Sequence, residues 1–240
     1  MSLLTLMSKR LKKVSFTIFT VITKIAIIFT MAIINLDFSN KQIIPLKVGE
    51  SCSAFSDRCV FVKPNSIWIR ENNEENLILS LNSLPKESSI AKGLSLGSDR
   101  FTQAILSPDR NSISFAVDGF HGWSGIYDLR KNKVFEVAFI FQGSINKLLF
   151  SLNGQYLAIE SKDAGGFSSV IIWDTKVEKN ISWDVPKCVS GFPFDVRLKE
   201  WVDNTLKIRM KCMDDKEWKT GLLKIESEHI VFRKLGNGED

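Results

Sequence analysis

Acid is missing from the start of the chain: residues 1–36 hold five cations, Lys9, Arg10, Lys12, Lys13 and Lys24, and no Asp or Glu. The formal charge of +5 over 240 residues is therefore contained in that stretch, and residues 37–240 carry 27 cations against 27 acids. A neutral body offers no net basic face for phosphates, which sets nucleic acid aside as a partner. Histidine is scarce, with two residues, and the four cysteines form no C-x-x-C pair. A metal centre would lack donors, and no cofactor is expected. Also absent are G-x-x-x-x-G-K-[ST] and H-E-x-x-H strings, which removes phosphate-loop and zinc-protease readings. No stretch after residue 40 keeps a 3.6-residue apolar period over three turns, so the body shows no amphipathic helix.

One long apolar run is present. Residues 14–36 are apolar or uncharged except for Lys24, and as a helix they would span roughly 30 Å of hydrocarbon. The Lys9 to Lys13 cluster lies directly before the run, which by the positive-inside rule holds the N-terminus in the cytoplasm. The expected organisation is a cytoplasmic basic segment at 1–13, a transmembrane anchor or signal sequence at 14–36, and an extracytoplasmic domain at 37–240. The anchor reading makes this a single-pass protein of the cell membrane with its domain in the periplasm; cleavage would make it secreted. The run exceeds the roughly 7 to 15 apolar residues usual in a signal peptide, and its best cleavage-like site is the weak Thr30-Met31-Ala32, which favours the anchor. Lys24 costs a few kcal/mol there unless it snorkels.

All four cysteines, Cys52, Cys59, Cys188 and Cys212, follow that run. An even count in an oxidising space is compatible with two disulfides, and proximity favours Cys52 with Cys59 and Cys188 with Cys212. Buried free thiols are the alternative.

The body repeats. Ser107-Pro-Asp-Arg-Asn-Ser-Ile-Ser-Phe returns 44 residues later as Ser151-Leu-Asn-Gly-Gln-Tyr-Leu-Ala-Ile, and Gly122-Trp123-Ser124 returns at the same offset as Gly166-Phe167-Ser168. Ile126-Tyr127-Asp128 matches Ile172-Trp173-Asp174 at 46. Weaker copies place the key aliphatic position at Ile67, Ile113, Leu157 and Leu206. Four units of about 45 residues have the length of a propeller blade, and each reads as short alternating strands between turn residues.

The Ser107 and Ser151 strings, with Ile126-Tyr127-Asp128-Leu129, resemble the repeat of TolB-type β-propellers, and Val170-Ile-Ile-Trp173-Asp174-Thr175 resembles the third strand of WD-repeat blades. The resemblance covers residues 101–185 well and 60–90 and 200–235 faintly. Arg110 stands at the usual turn glycine and Leu152 at the usual proline. The expected fold is all-β: about four blade-like repeats forming a small closed propeller, an open arc, or a half completed by another subunit, such as a second copy of the chain. The resemblance implies a platform for a protein or cell-envelope component and no catalysis.

Candidate chemistry is thin. Ser89-Ile-Ala-Lys92, Ser151-Leu-Asn153 and Lys219-Thr-Gly221 occur in the order of serine β-lactamase elements, but Gly93 and Gly97 oppose the helix that chemistry needs. An enzyme with an unrecognised site is the alternative function. The best binding candidates are the equivalent loops at 119–124 and 163–168, where Trp123 and Phe167 could share an aromatic surface beside His121; packing of both rings between sheets is the competing reading. Aromatics are favoured at interface centres. Trp68, Trp173, Trp183, Trp201 and Trp218 read as core or strand residues.

Overall fold

The computed structural model describes residues 50–52, 58–181, 195–213, 215–226 and 229–234. The basic segment, the 14–36 run, Trp183 and Cys188 lie outside the described residues. No helix among the described residues is long and apolar enough to cross a membrane.

Among the described residues, sixteen strands form four antiparallel sheets, each a meander in chain order. The first contains β1 (Glu50–Cys52), β2 (Cys59–Lys63), β3 (Ser66–Glu71) and β4 (Glu74–Ser80). The second contains β5 (Ser98–Leu106), β6 (Ser112–Gly119), β7 (Gly122–Asp128) and β8 (Lys133–Ile140). The third contains β9 (Ser144–Phe150), β10 (Tyr156–Lys162), β11 (Ser168–Asp174) and β12 (Lys179–Ile181), and the fourth β13 (Asp195–Val202), β14 (Thr205–Lys211), β15 (Lys219–Glu226) and β16 (His229–Lys234).

Turn chemistry explains why these strands begin where they do. Asp109 Oδ1 accepts bonds from Ser107 Oγ (2.6 Å) and the Asn111 amide (3.1 Å), while the Ser112 amide donates to Ser107 Oγ (3.0 Å). Asn153 repeats the pattern, with Ser151 Oγ at 2.7 Å, the Gln155 amide at 3.0 Å, and the Tyr156 amide on Ser151 Oγ at 2.9 Å. The sequence repeat is thus a repeated Asx-turn that satisfies backbone donors between the first and second strands. Asp128 and Asp174 do the same after the third strands, each accepting two amide bonds.

Among the described residues, three apolar cores lie between successive sheets. Val60, Ile69, Phe101 and Trp123 belong to the core of the first two sheets, Leu148, Leu157 and Ile159 to the next, and Ala158, Ile172, Leu198 and Ile208 to the last. Each fully buried aliphatic side chain contributes about 1.5 to 3 kcal/mol. The aliphatic positions Ile67, Ile113, Leu157 and Leu206 are all fully buried. Three of them stand on second strands, whereas Ile67 is on the third strand of its sheet, so the sequence alignment slips by one strand in the first unit. Among the described residues, no strand of the first sheet packs on the fourth as extensively as successive sheets pack on each other.

Among the described residues no cysteine is a free thiol, and Cys59 and Cys212 are disulfide-bonded. Cys59 stands opposite Cys52 in the β1–β2 register.

Candidate functional site

The meander sends the β6–β7 hairpin, the β8–β9 connection and the β10–β11 loop to one edge of the sheets. Phe120 and His121 form the hairpin connection between Gly119 and Gly122. A Cβ at Gly122 would lie 2.6 Å from Gly143 O, and one at Gly143 would lie 2.3 Å from Lys162 O. Only glycine at both positions lets the three segments meet this closely.

At this edge His121 is buried, 5% exposed, and its Nδ1 accepts the Gln142 amide at 2.9 Å. The imidazole centroid lies 4.7 Å from Phe120, 4.9 Å from Phe139 and 4.9 Å from Phe141. Phe120 and Phe141 are themselves 64% and 54% exposed. His121 is therefore a pillar: the backbone bond fixes the ring, and the ring fixes two phenylalanines that face solvent. Nearby Asp118 pairs with Arg100 at 3.9 Å while its Oδ1 has no hydrogen-bond partner. Burial raises its carboxyl above the ordinary value, against the opposing pull of Arg100.

Of the expected binding residues, the structure brings His121 to the edge but withdraws Trp123. Trp123 is 0% exposed, meets Phe115 edge to face at 5.5 Å, and donates Nε1–H to Ser98 Oγ at 2.9 Å. It cannot form an aromatic surface, because β7 directs it into the core between the first two sheets. Phe167 is partly buried in a loop closed by its own amide on Asp163 Oδ1 at 3.0 Å. The residues that sequence reasoning missed are Phe120 and Phe141. Phe120 is legible as a large apolar residue in a two-residue hairpin connection, outside the alternation of the strands on either side.

Among the described residues, no catalytic constellation assembles at this edge. His121 has phenylalanine neighbours on three sides and a backbone donor on Nδ1, an arrangement unlike the nucleophile, base and orienting acid of a triad. Ser89 lies in bends and turns instead of a helix; its Oγ and amide both donate to Glu136. Ser151 is engaged by Asn153 and Lys219 begins β15, so the three β-lactamase-like strings stand in separate places. Among the described residues no group of three His, Cys, Asp or Glu side chains could hold a metal ion.

At the opposite edge, an open cleft of about 300 Å³ lies between the second and third sheets, with Asp109, Asp128, Arg130, Lys131 and Glu178 along it. Its charges satisfy one another: Lys131 Nζ reaches Glu178 at 3.0 Å and Asp128 at 3.6 Å. Burial would raise the Asp128 carboxyl, but the amide bonds from Lys131 and Arg130, with their charges, hold it below the ordinary value.

No protein-family model matches the chain, and none of the curated proteins matches it. Among solved structures it is similar to the β-propeller domain of the Trilobed protease from Pyrococcus furiosus, with 15% identity over 78% of this chain and 57% of that one and a TM-score of 0.50. It is also similar to an oligogalacturonate lyase solved in complex with manganese, with 10% identity over 78% of this chain and 52% of the other and a TM-score of 0.54. TolB from Acinetobacter baumannii matches at 16% identity over 76% and 44% of the two chains with a TM-score of 0.39, too low to carry an argument. The chain spans about half the length of the solved chains it matches. At such identities the likeness shows the fold alone: an all-β, propeller-like array of four-stranded sheets.

Proposed function

We propose that this chain is a membrane-tethered, extracytoplasmic scaffold that captures a protein or cell-envelope component on its Phe120 and Phe141 edge and catalyses nothing. The observation that carries this reading is the pair of exposed rings, 64% and 54%, locked around a buried histidine. Pre-organised aromatics lose little entropy on binding, and exposed apolar rings on a rigid support mark interaction sites. Tethering rests on the basic cluster and apolar run of residues 9–36.

An oxidising compartment fits the disulfide state of Cys59 and Cys212. The pairing that fits the β1–β2 register is Cys52 with Cys59, which leaves Cys188 for Cys212. Completion of the array by a second copy would have to use the first sheet, whose outer row Phe61, Trp68 and Leu77 is apolar in type, because the outer face of the fourth sheet is charged.

The test is cross-linking of the epitope-tagged full chain in membranes. Phe120→Ala with Phe141→Ala removes the specific cross-linked adduct at unchanged Tm; persistence of the adduct overturns the reading. Digestion of the domain by protease added to intact spheroplasts checks its side of the membrane, and protection would refute the tethering arm.

A further inference from the structure

The outer face of the fourth sheet is the place where the neutral charge balance breaks down. Alternation along β13 and β14 turns Val196, Leu198, Leu206 and Ile208 into the core. On the other face, cross-strand partners come in rows: Arg197 opposite Arg209, then Glu200 opposite Lys207. A bulge between Leu198 and Glu200 adds Lys199. Like charges directly opposite one another destabilise a sheet, yet Arg197 and Arg209 take that arrangement.

Trp218 lies beside them, its ring 5.7 Å from each guanidinium. Two adjoining concavities of about 470 and 530 Å³ share Lys199, Arg209 and Trp218. Their charged lining is five cations against two acids, Glu200 and Glu160. Glu160 is already engaged, accepting the Leu198 amide at 2.8 Å, and Lys147 donates to the Leu198 carbonyl at 3.1 Å. Arg197, Lys199, Lys207 and Arg209 form no ion pair among the described residues.

We propose that this face binds an acidic polysaccharide, its carboxylates on the Arg197 and Arg209 pair and on Lys207. Two guanidinium forks side by side match oxyanion groups bidentately. Lys207 stands two residues along β14, about 7 Å away, so a ligand with repeated charges engages both rows. Asn146 and Thr220 on the lining supply neutral hydrogen-bonding groups suited to sugar hydroxyls. Single-stranded nucleic acid needs open aromatic faces for its bases, and Trp218 already has two guanidiniums on its ring. A bilayer presents a flat surface, whereas the cations here line concavities. The site is separate from the aromatic edge and does not depend on the function proposed there.

The experiment uses the full chain in neutral detergent and measures binding of alginate, with neutral dextran, single-stranded DNA and phosphatidylglycerol vesicles as the other arms. Alginate binds, dextran does not, and the affinity falls steeply with salt, as expected for several ion pairs. Arg197→Gln with Arg209→Gln weakens alginate binding at least tenfold without lowering Tm, since the exchange relieves repulsion. Lys199→Gln with Lys207→Gln, on the same face, provides a second variant and weakens it likewise. Absent alginate binding, unchanged binding by both variant pairs, or preferential binding of DNA or vesicles overturns the proposal.

Discussion

Gln103 and Lys147, 44 residues apart, make the same contact from equivalent places. Gln103 stands opposite Ala116 in the β5–β6 register and Lys147 opposite Glu160 in the β9–β10 register, a displacement of 44 on both strands. Gln103 Nε2 donates to the Asn146 carbonyl at 2.7 Å, and Lys147 Nζ to the Leu198 carbonyl at 3.1 Å. β5 and β9 thus each clasp the first strand of the next sheet through its backbone carbonyls.

Opening a clasp should loosen one sheet junction. Gln103→Ala removes the donor to solvent-accessible carbonyls on β9 and should cost about 0.5 to 1.5 kcal/mol. Denaturant unfolding measures the loss, and hydrogen exchange should locate it at β5 and β9.

Trp123 and Phe120 should separate stability from capture. Trp123→Ala empties a core site and strands Ser98, with an expected loss of about 3 to 5 kcal/mol. Phe120→Ala, on an exposed ring, should stay within about 0.5 kcal/mol while reducing capture. Paired melting and cross-linking measurements on the two variants check this.

Arg110 holds φ +60, in the region that Gly154 occupies at φ +72 in the equivalent turn. A non-glycine residue is strained there, so Arg110→Gly should stabilise the chain by about 1 kcal/mol. A thermal melt showing no gain or a loss would contradict it.

Acid should weaken the fold through Asp109 and Asp128. Burial acts to raise both carboxyls, but their hydrogen bonds and nearby cations prevail and leave both below the ordinary carboxylate value. Their stabilisation is complete above the unfolded pKa and disappears as pH falls through the folded values. Asp118, raised by burial, acts in the opposite sense, since its charged form is disfavoured in the fold. Asp128→Asn should flatten the acid limb of a stability profile below pH 4, and Asp118→Asn should raise stability at neutral pH.

Reduction should report the disulfides. If Cys52 pairs with Cys59 and Cys188 with Cys212, non-reducing peptide mapping finds those two linkages. Cys59→Ser should then cost about 2 to 4 kcal/mol.

The repeat was legible because its turns are local. Ser107, Asp109 and Ser112 lie within six residues and their bonds recur at Ser151, Asn153 and Tyr156, so spacing alone exposed them. The first unit was harder, since its strands are short and Ile67 matched the wrong strand. The aromatic surface was misplaced by one step of alternation: Trp123 follows the hairpin into the core, whereas Phe120 and Phe141 stand on connections that the strand pattern does not reach.

The amino-acid sequence by itself determined the all-β class, the blade-length units, the Asx-turns, and the separation of a basic, apolar start from a neutral body. Only the tertiary structure decided which aromatics face solvent and where charge gathers. Net charge is a sum over the chain, and neutrality hid the basic outer face of the fourth sheet. Charge there depends on which strands lie side by side, and register, not composition, sets Arg197 against Arg209.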